Sequence, residues 1–233
     1  MDLSDLIYSR KSCRSYLDEK ISDDELNEIK EFISNVKVLN DSIKFNYEIL
    51  TKNQVNIKTR WSAPYYIAIY SEKKENYLEN VGFIFQQVCL YMQSMGLGNC
   101  WVGLASPKSK RDNFVIVIAF GKSEDISRQL NQFKRKSKKD FSDTDDERLN
   151  PAYYAPSAVN SQPWYFKKTS DGYDSYQIRH NLVKRKLFGK WNPIDIGICL
   201  AHLYVSYPAS FKFEIKDDYE NLKGYTYCGS ISI

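Results

Sequence analysis

The chain has 233 residues, of which 42% are hydrophobic and 27% charged, values that are typical of a soluble globular protein with one large or two small domains. Its 33 basic and 29 acidic residues give a net charge of +4, which is too close to neutral to indicate a nucleic-acid-binding protein. No run approaches the roughly 20 apolar residues that a membrane helix needs, and the polar N-terminus does not predict a signal peptide.

The cysteines and histidines argue against a metal centre. The five cysteines are odd in number, and no two of them form a C-x-x-C pair: Cys13, Cys89, Cys100, Cys199 and Cys228. With only two histidines beside them, we expect no bound metal. Free buried thiols in a reducing compartment fit this pattern, so we expect a cytoplasmic protein.

The first half of the chain predicts a mixture of helices and strands. A short helix opens the chain, and Ser22 with Glu25 three residues later forms a capping box that begins a second helix. Apolar runs predict three strands: 45–49, 65–70 and 114–120. Residues 76–95 predict a helix that is apolar on most of its faces and therefore central. The glycines at 96–98 end this helix in a turn, and Gly121 closes the third strand.

The second half begins after a long polar segment. Residues 122–150 are highly charged and without sustained periodicity, which predicts a crossing loop between two halves. Beyond it, residues 194–205 predict a second apolar helix. Four runs predict strands: 164–166, 176–178, 211–215 and 225–227.

The two apolar helices begin with similar sequences, Glu79–Ile84 and Pro193–Ile198. Each has a polar residue, an apolar one and a glycine before a long apolar stretch. A glycine early in a helix costs about 1 kcal/mol relative to alanine, so it usually marks a close approach between helices. We therefore expect the two helices to pack across a pseudo-twofold axis; the alternative is chance similarity.

Three segments carry the residues suited to ligand binding. Arg10–Arg14 places three cations and a hydroxyl within five residues, which suits an anionic ligand, although exposed basic pentapeptides are common. Ala155–Trp164 is a loop shaped by two prolines whose polar side chains can read the edge of a heteroaromatic ring, or simply form a turn before a strand. Gly96–Gly103 permits close backbone approach to a ligand, or is only a helix stop. No phosphate-loop or dinucleotide pattern is present.

Together these segments resemble the nitroreductase family. Arg10–Arg14 matches the family's Arg-Arg-Ser-x-Arg opening with lysine in second place, and Ala155–Trp164 matches its A-P-S-x-x-N-x-Q-P-W loop throughout. Gly96–Trp101 matches a G-L-G-x-C-W segment, and Phe120-Gly121 with a later basic run at 134–136 is similar to the family's late strand and basic segment. The resemblance implies an α+β fold: a three-layer α/β/α arrangement with a mainly antiparallel central sheet and two central helices.

The order of these motifs departs from the ordinary family pattern. The A-P-S loop normally follows the N-terminal motif within a few dozen residues, whereas here it begins only at Ala155. The chain therefore resembles a branch in which two tandem halves mimic the usual homodimer. Residues 1–140 would form the half that binds the FMN phosphate, and residues 141–233 the half that supplies the ring-facing loop. This arrangement implies one flavin per chain and a pseudo-dimeric monomer.

The resemblance also assigns cofactor-binding roles. Basic and hydroxyl residues would hold the FMN phosphate and ribityl chain: Arg10, Lys11, Ser12, Lys134 and Arg135. The loop of the second half would contact the flavin ring: Pro156, Ser157, Ala158, Asn160 and Gln162. Backbone amides near Val102 and Gly103 would face N5 and O4 of the ring. Arg14 would lie at the pyrimidine edge, where its charge stabilises the reduced ring.

The implied activity is hydride transfer from NADH or NADPH to flavin N5 and then to a small electron-poor acceptor, nitroaromatic or quinone-like, in ping-pong order. Because the flavin is the reactive centre, no catalytic side chain is assigned. Two alternatives remain: a flavin-binding protein without turnover, for storage or sensing, and a dehalogenating or flavin-modifying member of the same fold. A nucleic-acid binder that uses the basic clusters at 108–111 and 134–139 is disfavoured by the near-neutral net charge.

Overall fold

The computed structural model of the chain describes residues 2–109, 111–179 and 189–233. Lys110, which belongs to one of the basic clusters, lies outside the described residues. Five α-helices are found in the described part: α1 Leu3–Leu6, α2 Asp23–Asn35, α3 Tyr77–Ser94, α4 Asn150–Tyr153 and α5 Asn192–Ser206. The two long apolar helices predicted from the sequence correspond to α3 and α5.

The strands of each half form their own antiparallel sheet. In the first half the order is β1-β3-β6-β4, in the second β7-β8-β10-β9, and β2 pairs separately with β5. The ten strands have these bounds: β1 Phe45–Thr51, β2 Val55–Ile57, β3 Tyr65–Ser71, β4 Leu97–Val102, β5 Ala105–Pro107, β6 Phe114–Lys122, β7 Trp164–Lys168, β8 Tyr173–Ile178, β9 Lys212–Glu214 and β10 Tyr225–Ser232. The α+β class is thus confirmed, with the antiparallel strands divided between two main sheets.

Helix α2 begins with the capping box that its sequence predicts. The Ser22 hydroxyl accepts a hydrogen bond from the Glu25 amide at 3.2 Å, and the Glu25 carboxylate accepts one from the Ser22 amide at 2.8 Å. Both backbone donors at the helix start are satisfied in this way. Ile29 and Ile33 lie one turn apart and are buried in the main core, so they fix which face of α2 packs inward.

The centre of the molecule is the contact between α3 and α5, one helix from each half. A Cβ atom added to Gly82 would lie 2.1 Å from the carbonyl oxygen of Ile194, and one added to Gly197 would lie 1.9 Å from that of Glu79. The two contacts are reciprocal: each glycine faces the residue that lies three positions before the other glycine in the sequence. The predicted close approach across a pseudo-twofold axis is confirmed, and a side chain at either position would force the helices apart.

The segment after α3 differs from the prediction. Gly96 has the left-handed φ of 77° expected of a helix stop, but residues 97–102 form strand β4 and not a turn. Gly98 pairs with Gly121, so β6 also continues past the glycine that was expected to close it. The ring of Pro64 covers Gly121, where an added Cβ would lie 2.6 Å from it. The strand persists because its neighbours leave room only for glycine.

In the sequence, the strands of one main sheet all precede residue 140 and the strands of the other all follow it. The boundary between the halves at residue 140 stays a prediction. Residues 122–150 cross between the halves and bury Phe133, Phe141 and Leu149. The five cysteines are free thiols, four of them buried. In the described ranges, no helix is both long enough and apolar enough to cross a membrane.

Candidate functional site

A cavity of about 340 Å³ lies where the two halves meet. Its lining includes seven of the predicted cofactor-binding residues: Ser12, Arg14, Val102, Gly103, Pro156, Ser157 and Ala158. The first four belong to the first half and the last three to the ring-facing loop of the second. The structure therefore brings together three segments that are far apart in the chain, near residues 12–14, 102–103 and 156–158.

Three tryptophans contribute flat aromatic surfaces to the walls of this cavity. Trp61, Trp101 and Trp191 all line it. The ring of Trp191 packs directly on Gly103, since a Cβ added there would lie 2.7 Å from the ring. Flat aromatic walls favour a planar ligand, which they can contact over its whole face.

The ring-facing loop, residues 155–164, has an unusual backbone. Val159, Asn160 and Gln162 have φ values of 48°, 57° and 47°, in the left-handed region that residues with side chains rarely adopt. The Gln162 amide donates to the Ser157 hydroxyl at 2.9 Å, and the Ala158 amide donates to both carboxyl oxygens of Asp195 at 3.0 and 3.1 Å. Surrounding contacts thus hold the loop in a strained shape.

Asn160 and Gln162 brace the loop against the basic segment of the first half. Arg135 donates to the Asn160 side-chain oxygen at 2.7 Å, and the Asn160 amide donates to the Lys134 carbonyl at 2.9 Å. The Gln162 side-chain oxygen accepts from the Lys136 backbone amide at 2.9 Å. Neither side chain lines the cavity, so a contact of these two residues with a flavin ring stays a prediction.

Three arginines surround the ring of Phe133 beside the cavity. The guanidinium carbons of Arg10, Arg128 and Arg135 lie 5.9, 4.7 and 5.4 Å from the ring centroid. The Nε atom of each is buried without a hydrogen-bond partner. Burial, together with the charges of Arg135 and Arg128, lowers the pKa of Arg10 to about 9. Converging cations with unsatisfied donors form a site for an anion such as a phosphate.

Arg128 is a functional candidate that the sequence did not reveal. It lies in the polar segment 122–150, where no motif distinguishes one basic residue from another. Of the predicted phosphate-side residues, Arg10 and Lys11 line a small cavity that shares Ser12 with the main one. Lys11 also forms an ion pair with Asp125. The Lys134 side chain is exposed, and its role stays a prediction.

Asp195 is the second residue that sequence reasoning missed as a site residue. Only 3% of its surface is exposed, and it lines the main cavity. Burial raises its pKa well above the usual value, and the hydrogen bond from the Ala158 amide opposes this only in part. The glycine two positions later was noticed, whereas the carboxyl group carried no recognisable motif.

A buried chain of hydrogen bonds connects the cavity wall to the second half. The Trp101 indole donates to the Gln86 side-chain oxygen, and the Gln86 amide donates to His202 Nε2, both at 3.0 Å. His202 Nδ1 donates to the Pro151 carbonyl at 3.0 Å. A carbonyl can only accept, so the proton of the neutral ring lies on Nδ1. Burial lowers the pKa of His202 to about 3.

These features define a class of protein: an α+β chain of two pseudo-symmetric halves with a cavity and a group of three arginines between them. Across the described residues, no cluster of three or more His, Cys, Asp or Glu side chains could hold a metal ion. The family model described as "Putative TM nitroreductase" matches residues 2–207. The chain therefore belongs to this nitroreductase family.

One solved structure shares the fold of the chain, and a second has a lower structural similarity. A "putative nitroreductase" from Thermotoga maritima MSB8 has a TM-score of 0.67 at 22% identity, with 99% of this chain and 94% of that chain covered, so the two share their fold. A nitroreductase from Desulfitobacterium hafniense DCB-2, solved with bound FMN, has a TM-score of 0.44 at 14% identity and covers 59% of this chain and 100% of its own. No match is found among curated proteins.

Proposed function

We propose that the chain is an FMN-dependent oxidoreductase that uses NADH or NADPH to reduce nitroaromatic, quinone-like or other electron-poor acceptors. The observation that carries this proposal is the group of three arginines, each with a buried and unpartnered Nε atom, beside the cavity between the halves. Membership of the nitroreductase family supports the reaction class. A planar ring with a phosphate tail satisfies both parts of the site at once.

The residues present fit FMN in their chemistry. Arg10, Arg128 and Arg135 would hold the phosphate, because their unsatisfied Nε groups are donors without an acceptor. Ser12 connects the two cavities and would lie along the ribityl chain. Arg14 lines the main cavity, where its guanidinium would stabilise negative charge on a reduced ring.

The cavity supports sequential use by two substrates. Its volume of about 340 Å³ is at the low end of the range for small-molecule sites, so a ring bound there leaves room for one planar partner at a time. NAD(P)H and the acceptor would then occupy the same space in turn, which gives ping-pong kinetics. Bound FMN supplies the hydride chemistry, while Trp61, Trp101 and Trp191 position the planar partner and exclude water.

We also propose that the chain acts as a monomer in a reducing, cytoplasmic setting. The interface between α3 and α5 would replace the contact between two subunits of a homodimer, since its glycines already provide a close and reciprocal packing surface. The five free cysteines support a reducing compartment.

The test is the visible absorption spectrum of the purified protein after addition of FMN and desalting, followed by anaerobic NADH or NADPH. We expect retained flavin bands that bleach with one of the two nucleotides. Retained flavin that does not bleach would favour a storage, sensing or otherwise specialised role. Protein that retains no FMN would overturn the proposal.

A further inference from the structure

Asn80 and Asp195 occupy equivalent positions in the two halves. Each lies two residues before the glycine of the central helix contact, Gly82 or Gly197. The side-chain oxygen of Asn80 accepts hydrogen bonds from the amides of residues 39 and 40 at 2.9 and 3.0 Å. Asp195 accepts from the amide of residue 158. Both side chains therefore clamp the segment that leads into the first strand of their own sheet.

The clamp itself does not require a carboxyl group. Asn80 is fully buried, performs the same task with an amide and is not among the residues that line the main cavity. Asp195 is almost as buried, but it lines that cavity. A carboxyl group costs more to bury than an amide if it is charged, so the acid is retained where a ligand binds for a reason other than the clamp.

The neutral carboxyl group has a proton to donate. Burial raises the pKa of Asp195 well above its usual value, which favours the protonated form of the carboxyl group. Among the described residues its hydrogen-bond partner is the Ala158 amide, which is itself a donor. The carboxyl O–H therefore needs an acceptor, and the cavity that Asp195 lines provides the space for one.

We propose that Asp195 is a further ligand-binding residue of the cavity, and that its carboxyl group donates a hydrogen bond to an uncharged carbonyl or nitro oxygen of the electron acceptor. The proposal rests on the proposed function, because it assumes that a planar acceptor enters this cavity. It makes Asp195 a specificity residue: acceptors with a conjugated oxygen are bound in preference to hydrocarbons of the same shape. Other charged or titratable groups near it are Arg14 and Cys100 across the cavity and Cys199 on its own helix.

Binding of two isosteric probes tests this assignment without turnover. Acetophenone and α-methylstyrene have nearly the same shape, but the carbonyl oxygen of the first is a CH₂ group in the second. The FMN-loaded protein is titrated with each probe in the absence of NAD(P)H, and binding is read from tryptophan fluorescence, since three tryptophans line the cavity. We expect acetophenone to bind about threefold to tenfold more tightly, the worth of one hydrogen bond.

The variants distinguish the role of the Asp195 carboxyl proton from the role of the hydrogen bond that Asp195 accepts from Ala158. In the wild type the preference for acetophenone should decrease as the pH is raised and the carboxyl group ionises. Asp195→Asn keeps an N–H donor and an acceptor for Ala158, so its preference should persist at every pH. Asp195→Leu should have no preference. Asn80→Leu, which removes the equivalent clamp in the other half, should keep the wild-type preference and its pH dependence.

Two results would overturn the inference. One is an affinity ratio in the wild type that does not fall as the pH is raised. The other is an unchanged ratio in Asp195→Leu together with weaker FMN retention. This result would indicate that the carboxyl group donates its hydrogen bond to the flavin ring and not to the acceptor. If Asp195→Leu does not fold, the wild type and Asp195→Asn decide the question. Absence of retained FMN in the wild type would instead overturn the proposed function, and the affinity ratio of the two probes would then be measured on the FMN-free protein.

Discussion

Among single residues, the three arginines around Phe133 make the strongest case for a ligand, since Arg10 is buried and all three have a buried Nε atom. A buried charge is normally paired, because burial without a partner costs several kcal/mol. Arg10, Arg128 and Arg135 instead converge on Phe133, and each leaves its Nε atom without an acceptor. The pKa of Arg135 falls to about 10, chiefly through burial and then through the charge of Arg128. In such an arrangement the positive guanidinium groups repel one another, and a bound phosphate would reduce this repulsion.

Replacing Arg128 should therefore affect FMN binding and stability in different ways. We expect Arg128→Ala to weaken FMN binding by about 10- to 100-fold, the value of a charge-assisted hydrogen bond, measured by fluorescence titration. The midpoint temperature of thermal unfolding of the FMN-free protein should stay the same or rise, because one of three like charges is removed. Arg111→Ala is the matched control: Arg111 also lies over an aromatic ring, Tyr70, but it is paired with Glu48. Equal FMN affinity in both variants would contradict the role of Arg128.

Val159 concentrates the strain of the ring-facing loop. It is β-branched, has a φ of 48° and is 68% exposed, so no burial of its side chain compensates for the left-handed backbone. Val159→Gly should raise the free energy of unfolding by about 0.5–1 kcal/mol, since relief of strain exceeds the entropy that glycine adds to the unfolded chain. Urea denaturation measures this change. The same substitution at Val36, where φ is −65°, should lower stability; an equal loss at both positions would show that Val159 is not strained.

At the level of secondary-structure elements, the contact between α3 and α5 sets the distance between the halves. Gly82→Ala places a methyl group 2.1 Å from the carbonyl oxygen of Ile194, and rigid backbone on both sides prevents a small adjustment. We expect a loss of about 3 kcal/mol or more in the free energy of unfolding, measured in urea. Gly224→Ala is the control: its φ is 88° but nothing lies within 4 Å, so only about 1 kcal/mol of backbone strain is expected. Similar losses in both variants would contradict a close helix contact at Gly82.

The same elements show what the sequence could predict. The central helices could be predicted because apolar residues cover most of their surface and a glycine marks their contact. Strand β4 could not be predicted, because two glycines directly after a helix indicate that the helix ends in a turn. Only the pairing of Gly98 with Gly121 reveals a strand. Strands β2 and β5 have three residues each, which is too short for any periodic pattern to emerge.

For the molecule as a whole, the site depends on distances that no local pattern contains. The motifs named Arg14 and Ala158, which both line the cavity, but their meeting depends on how the halves pack. Arg128 and Asp195 belong to no motif, and they become candidates only through unsatisfied or deeply buried polar atoms. The motifs could thus name some of the residues that line the cavity, whereas Arg128, Asp195 and the partners and burial of each residue required the fold.

The hydrogen-bonded chain through His202 connects both halves and predicts how stability depends on pH. The folded pKa of His202 is about 3, well below the ordinary value of about 6.5 in an unfolded chain. The unfolded state therefore takes up this proton first as the pH falls. The contribution of the neutral ring is fully present above about pH 6.5 and is lost progressively toward pH 3, by about 1.4 kcal/mol for each pH unit.

The comparison that isolates this effect is between the wild type and His202→Gln, both in a His180→Gln background that removes the other histidine. Glutamine can replace the hydrogen bonds but does not titrate, so the stability advantage of the wild type over the variant should shrink by about 1–2 kcal/mol between about pH 7 and about pH 5. Urea denaturation at each pH gives both free energies. Asp195 contributes with the opposite sign, because its folded pKa is raised, but it is present in both proteins and cancels. A constant difference across this range would mean that His202 takes up its proton in the folded protein as readily as in the unfolded chain, and the chain from Trp101 to Pro151 would then need a different arrangement of protons.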